Sequence, residues 1–198
     1  MSCDIVLVGV GGQGVLTIAD LLIRAAFEAG VAATYCPTKG MAQRGGFVKA
    51  EVRLGRDDVG SRIGEGQADL VVSMERSEAL KGLPFLRPSG TFLLYDHVWA
   101  PTGVMLGEDA YPERAEVAKA IKTVSEELIV LDSGKLPSVD GNTVRPNIYI
   151  LGAMIGRTAL GEILSTEVVG STISTRWTQV ADANLKAFRA GLGSGNGA

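Results

Sequence analysis

The sequence predicts an α/β protein with a doubly wound, mainly parallel sheet, helices on both faces and a Rossmann-like glycine-rich first turn. Three observations carry that prediction. Strand-like runs alternate with segments of helical period along the chain. Residues 4–8, 68–73 and 91–96 have continuous apolar centres, as expected of strands covered on both sides. The first of them leads into Gly9-Val10-Gly11-Gly12-Gln13-Gly14, directly ahead of an apolar-periodic helix. G-x-G-x-x-G is a weak signal alone, and a strand before it with a helix after it is the context that gives it meaning.

After that turn, Leu16, Ala19, Leu22, Ile23 and Ala26 recur at helical spacing over residues 13–29, and Gly30 supplies the stop. Residues 31–35 form the next strand. A glycine-punctuated segment, Cys36 to Gly46, follows. In Phe47–Leu54 the side chains Phe47, Lys49, Glu51 and Arg53 alternate with Val48, Ala50, Val52 and Leu54, a half-buried strand expected to extend the sheet at one edge. Gly55-Arg56-Asp57-Asp58 is its turn. The buried-type strand 68–73 precedes a short helix over 75–81, and Arg87-Pro88-Ser89-Gly90 reads as the turn before the strand 91–96. Tyr111-Pro112 opens a helix to residue 126, 128–131 is a short strand, and Arg145-Pro146 starts a helix through Gly161. A last helical stretch covers 178–189. Residues 1–190 thus read as a single domain and 191–198 as a flexible glycine-rich tail. Ligands of such folds sit beyond the carboxyl ends of the strands, so both glycine-rich segments should open on one rim.

Composition narrows the function classes. The chain has 198 residues, 46% hydrophobic and 21% charged, which is globular and long enough for a proper core. A formal net charge of -3 argues against nucleic-acid binding. No apolar run reaches the roughly 18 residues of a membrane span, and the first residues lack the basic start of a signal peptide, so the expected location is cytoplasmic. Cys3 and Cys36 form no C-x-x-C pair and His97 is the single histidine, which leaves no ligand set for a cluster or a metal.

Two segments carry candidate chemistry. In the first, Gly9 permits a tight turn, Gly11 and Gly12 bring backbone N–H groups close to a ligand, and Gln13 and Gly14 open a helix whose amino end favours an anion. A dinucleotide site also needs an acid at the end of the second strand, and Thr34-Tyr35-Cys36-Pro37 offers none. The turn therefore cradles a different phosphate or is simply a strand–helix corner. In the second segment, Lys39 and Arg44 are set among Gly40, Gly45 and Gly46, with Gln43 as a two-way amide. That set suits a pyrophosphate, a carboxylate or a thioester-linked cofactor, with Arg44 the better fork. The plain alternative is a solvated loop. Elsewhere Cys36 reads as a loop-lining thiol, His97 beside Asp96 as a surface turn histidine, and Asn147 as a helix cap. Glu75, Arg76 and Glu78 read as helix-start charges or as part of an interface, and Trp99, Trp177, Tyr111 and Tyr149 as core or partner-facing aromatics.

Taken in order, Gly9-Val10-Gly11-Gly12-Gln13-Gly14, Gly40-Met41-Ala42-Gln43-Arg44-Gly45-Gly46, Gly66-Gln67-Ala68-Asp69, Glu75 with Glu78-Ala79-Leu80, and Asn147-Ile148-Tyr149-Ile150-Leu151-Gly152-Ala153 resemble the small subunit of indolepyruvate oxidoreductases. That subunit is the counterpart of the gamma domain of the 2-oxoacid:ferredoxin oxidoreductase family. The resemblance covers residues 4–160. It departs at Cys36-Pro37-Thr38, where family loops carry a Ser/Glu/His-type lead-in, which touches substrate class and not family.

The resemblance implies a thiamine diphosphate- and Mg-dependent oxidative decarboxylation of an aryl 2-oxoacid such as indolepyruvate. Electrons then leave through 4Fe–4S clusters to ferredoxin or another acceptor, and coenzyme A takes the acyl group. This chain has neither the thiamine motif nor cluster cysteines, so those cofactors belong to a larger partner subunit and the chain is inactive alone. Under that reading Gly11, Gly12, Gln13, Lys39, Gln43 and Arg44 face the active-site cleft or the phosphates of coenzyme A. Two other functions stay open on the residues alone: a stand-alone nucleotide-binding module and a purely structural scaffold.

Overall fold

The computed structural model describes residues 1–38, 46–125, 127–139 and 141–193. Lys39, Gly40, Gln43, Arg44 and Gly45 of the second glycine segment lie outside the described residues, as do Glu126 and residues 194–198 of the tail.

A six-stranded sheet has the order β2-β3-β1-β4-β5-β6. Its strands are β1 (Cys3–Val10), β2 (Ala33–Thr38), β3 (Phe47–Leu54), β4 (Ala68–Ser73), β5 (Leu86–Asp96) and β6 (Leu128–Asp132). β1, β4, β5 and β6 run parallel, and β3 is antiparallel to both β1 and β2. The predicted α/β class with a mainly parallel sheet holds. The edge position expected for β3 does not: it is inserted between β2 and β1. Its alternating charges mislead because they are neutralised in place. Arg53 Nη1 donates to Asp4 Oδ2 at 2.9 Å and Lys49 Nζ to Glu51 Oε1 at 2.9 Å, so an inner strand tolerates a charged face. On the other face Ala50, Val52 and Leu54 are buried beneath α1 (Val15–Glu28).

The helices divide between the two faces, as expected of a doubly wound sheet. One core joins α1 to α5 (Pro146–Arg157), α6 (Thr166–Arg176) and α7 (Ala181–Leu192); the other joins α2 (Ala79–Gly82) and α4 (Arg114–Lys122) to the opposite side. α3 (Thr102–Met105) is a single turn, and β7 (Ser138–Val139) pairs with β8 (Asn142–Thr143) in a separate ribbon. No helix among the described residues is long and apolar enough to cross a membrane.

Several element boundaries differ from expectation for local reasons. The turn expected at 87–90 lies inside β5: Ser89 has φ 66° and the register with β4 shifts between Ala68 and Leu70, so the segment is a bulge that keeps pairing. The helix opened near Tyr111 starts at Arg114, where Glu113 and Glu116 form a capping box. α6 was not anticipated. Its sequence presents only Val169, Thr172 and Ile173 to the core, and its start rests on Ser165 accepting from the Val168 N–H.

α5 and α7 meet through glycines. A Cβ at Gly152 would run into the Phe188 carbonyl oxygen, and one at Gly191 into that of Tyr149. Backbone-to-backbone contact leaves no space for a methyl group. Gly191→Ala is therefore expected to lose about 2 kcal/mol or more through overpacking, despite its better helix propensity. Urea unfolding measures this; an unchanged midpoint would show that the two helices can slide apart freely.

At the amino end of β1, burial pushes the Asp4 carboxyl above its ordinary value of 3.8, although Arg53 and Arg56 pull the other way. The native state thus holds this proton more tightly than the unfolded chain. The stability it contributes is full below the unfolded value and is lost as pH rises through the raised native one. Asp4→Asn is expected to remove that decline, read as a shallower slope of unfolding free energy against pH in the acid range.

Candidate functional site

The first glycine turn is built by close approach. At Gly9 a Cβ would stand 2.8 Å from Gln13 Oε1 and 2.9 Å from Val15 Cγ2, so no larger residue fits. Gly12 and Gly14 have φ of 103° and 91°, in the left-handed region that glycine occupies freely. Gly14 caps α1, and a Cβ there would lie 2.6 Å from Asn147 Nδ2. The amino ends of α1 and α5 therefore stand side by side. Asn147 is not the cap of α5; it sits within the first turn, with its Oδ1 accepting from the Ile148 N–H at 3.0 Å.

Gln13 serves the backbone. Its Oε1 accepts the Val10 N–H at 2.8 Å, its Nε2 donates to the Met74 carbonyl at 2.8 Å, and its own N–H donates to the Val10 carbonyl. One side chain thereby ties the ends of β1 and β4 together. The connections from these neighbouring strands lead to opposite faces of the sheet, the switch-point position where α/β folds receive ligands.

The second glycine segment leaves β2 after Thr38 and rejoins at Gly46, before β3. The Gly11 N–H donates to the Gly46 carbonyl at 2.8 Å, and Val10 pairs with Phe47. The structure thus brings Gly9, Gly11, Gly12, Gln13, Gly14 and Gly46 to one rim. Among the described residues, no acceptor takes the N–H groups of Gly12, Gly14, Val15 or Leu16. These donors at a positive helix end fit a phosphate. The described residues contain no cluster of His, Cys, Asp and Glu able to hold a metal ion, and Cys3 is buried, with burial raising its thiol to about 12.

Sequence reasoning underrated Glu75. It is fully buried (0% exposed) at the end of β4 and accepts from four donors. Oε2 takes the Ser77 hydroxyl at 2.6 Å and the Glu78 N–H at 2.9 Å; Oε1 takes the Trp99 N–H at 3.2 Å and the Tyr111 hydroxyl. Attraction to a helix dipole does not explain this carboxylate, which ties together three chain segments. Beside it Arg76 Nε donates to Asp96 Oδ1 at 2.6 Å, a hydrogen bond that raises the guanidinium further, and Arg114 approaches Asp96 at 3.6 Å. Asp96 is thus committed to arginines, not to His97, which stacks 5.8 Å from the Tyr95 ring. The clasp holds a segment whose Val98, Trp99, Met105 and Leu106 face outward, Trp99 at 47% exposure.

With this geometry in view, the profile of the pyruvate ferredoxin/flavodoxin oxidoreductase family matches residues 4–194. The chain belongs to that family. Within it, the place of the chain is that of the small, gamma-type subunit of a 2-oxoacid:ferredoxin oxidoreductase. It is 34% identical over 192 residues to the indolepyruvate oxidoreductase subunit IorB of Archaeoglobus fulgidus, covering 96% of this chain and 94% of that one. The IorB subunit of Pyrococcus horikoshii is 35% identical over 191 residues with the same coverage. Among solved structures, the pyruvate oxidoreductase subunit PORC of Thermotoga maritima superposes with a TM-score of 0.71 at 23% identity, covering 96% of this chain and 95% of that one. A 2-oxoglutarate:ferredoxin oxidoreductase from Magnetococcus marinus, with 2-oxoglutarate, coenzyme A and succinyl-CoA bound, shares the fold at a TM-score of 0.62 and 17% identity. That match covers 96% of this chain and 30% of the other.

The clasp makes a measurable claim. Glu75→Gln turns a donor toward groups that already donate and is expected to cost about 3 kcal/mol, against about 1 kcal/mol for Tyr111→Phe. The double variant should cost less than the sum, because both changes break one shared contact. Additive losses in denaturant unfolding would refute the clasp.

Proposed function

We propose that this chain is the small subunit of a thiamine diphosphate-dependent, coenzyme A-acylating oxidoreductase acting on indolepyruvate or another aryl 2-oxoacid. It packs on a larger subunit that carries thiamine diphosphate, Mg and the 4Fe–4S clusters, with its carboxyl-end rim turned toward that subunit. In the overall reaction the 2-oxoacid loses CO2, its acyl group forms a thioester with coenzyme A, and two electrons pass to ferredoxin or another acceptor with release of one proton. Thiamine and the clusters supply the bond cleavage and electron transfer when the partner is bound. The enzyme works in the cytoplasm.

The observation that carries this reading is the hydrogen bond from Gly11 to Gly46, which joins the first glycine turn to the end of the second glycine segment. Gly12 and Gly14 offer backbone donors to a phosphate, Gly9 and Gly11 give the turn its close approach, and Gln13 holds that turn against β4. Lys39, Gly40, Gln43, Arg44, Gly45 and Gly46 complete the proposed contact set, with the two cations balancing the phosphates of coenzyme A. The names of the archaeal relatives favour an indolepyruvate-type substrate, and the coenzyme A bound in the Magnetococcus enzyme favours an acyl acceptor of that kind. The outward apolar side chains of 98–106 lie beyond β5 on the same rim and supply contact area for the partner.

Reconstitution with the large subunit tests the proposal. The assembled enzyme should form acyl-CoA from indolepyruvate, and neither chain should do so alone. Arg44→Glu should raise the KM for coenzyme A by about tenfold or more, or abolish assembly. Unchanged steady-state kinetics in a fully assembled Arg44→Glu enzyme would overturn the assignment of this rim.

A further inference from the structure

The opposite rim of the sheet holds a second polar site. A cavity of about 520 Å³ opens there, lined by Asp4, Arg53, Arg56, Val59, Gly60 and Gln67. It lies at the amino end of β1 and the carboxyl end of β3, because Asp4 and Arg53 are cross-strand partners. The glycine turn follows the other end of the same β1 strand, at Val10, so the cavity and the turn occupy opposite rims.

The cavity's groups are left short of partners. Asp4 and Arg53 are 4% and 6% exposed, yet Asp4 Oδ1 and Arg53 Nε have no hydrogen-bond partner among the described residues. Arg53 spends its other nitrogens on Asp4 Oδ2 at 2.9 Å and on the Arg62 carbonyl at 2.7 Å. Among the described residues Arg56 makes only long ion contacts, 3.7 Å to Asp4 and 3.8 Å to the exposed Asp58, neither of hydrogen-bonding length. Gln67 uses its Oε1 to accept from the Gly64 N–H at 3.1 Å, which leaves its Nε2 as a donor. The next acid out, Asp69, is occupied by Arg87 at 2.7 Å and by the Asp4 N–H at 2.8 Å. The lining therefore holds two guanidiniums against one carboxylate, with an excess of donors.

We propose that this cavity is an oxyanion-binding site that takes a phosphate or carboxylate group, with Arg56 and Gln67 as its donors. An oxyanion supplies the acceptor that Arg56 lacks and sets its charge beside the buried Arg53 guanidinium. A hydrogen phosphate also brings a donor for the carboxylate side of the site, which a carboxylate ligand does not. Phosphate is therefore the tighter ligand of the two. The volume admits a small metabolite bearing such a group.

The test titrates the full chain with inorganic phosphate or acetate at constant ionic strength, by calorimetry. Wild-type protein should bind phosphate saturably and acetate more weakly, and Arg56→Gln should weaken both by about tenfold or more. Acetate binding as tightly as phosphate, with the same loss in Arg56→Gln, assigns the site to carboxylates. Gln67→Ala should reproduce part of the loss, while Arg87→Gln, which disturbs only the neighbouring ion pair, should leave affinity unchanged. Arg56 is partly exposed and without a hydrogen bond, so its replacement leaves the fold intact. Phosphate held by the glycine turn would survive Arg56→Gln, which separates failure here from failure of the catalytic-rim reading. No saturation below about 50 mM phosphate, or equal binding by wild type and Arg56→Gln, would overturn the proposal.

Discussion

The carboxyl-end rim depends on the amide of Gln13. Two parallel strands that send their connections to opposite faces leave a gap between their ends, and backbone groups there have no ladder partner. Gln13 fills that gap with an acceptor for Val10 and a donor for Met74. Only a side chain with both functions on one planar group can serve both strands at once. Gly9 must be small for this to happen, because the amide lies directly over it. The turn that resembles a nucleotide cradle is therefore first a clamp, and its free N–H groups are aimed by that clamp.

Buried charge sets the character of the rest of the structure. Glu75 on one rim and the Asp4–Arg53 pair on the other are both buried, and they differ in completeness. Glu75 has a donor for each lone-pair direction it needs and fixes the segments around Trp99 and Tyr111. Asp4 and Arg53 each leave an atom unpaired. A satisfied buried carboxylate rigidifies its surroundings, whereas an unsatisfied pair is a place where a further group gains free energy on arrival. The same distinction separates Glu51, at 2% exposure with one oxygen on Lys49 and the other unpaired, from a conventional edge-strand charge.

Much of the fold was legible in the chain because burial on both faces leaves an unmistakable run of apolar residues. β1 and β4 read directly in this way, and α1 read from the spacing of Leu16, Ala19, Leu22, Ile23 and Ala26. β3 was recognised as a strand with the right ends but placed wrongly, because alternating charge signals solvent unless a cross-strand partner lies opposite. Asp4 lies opposite Arg53 but 49 residues away, beyond the reach of local pattern. α6 escaped because it packs a narrow, partly polar stripe, and Thr172 counts as surface until a neighbouring helix covers it.

The strand–glycine turn–helix opening, the α/β class and the lack of cluster-ligating cysteines could be read from the chain alone, since each is a property of residues close together or of residue types absent altogether. Tertiary structure alone decided that β3 lies inside the sheet, that Gly11 meets Gly46, that Glu75 is a clasp and that Arg56 faces an under-filled cavity. Those facts depend on which distant groups share a hydrogen bond. Local propensity and periodicity describe how each segment folds, and carry no information about the partner that a buried polar atom finds across the sheet.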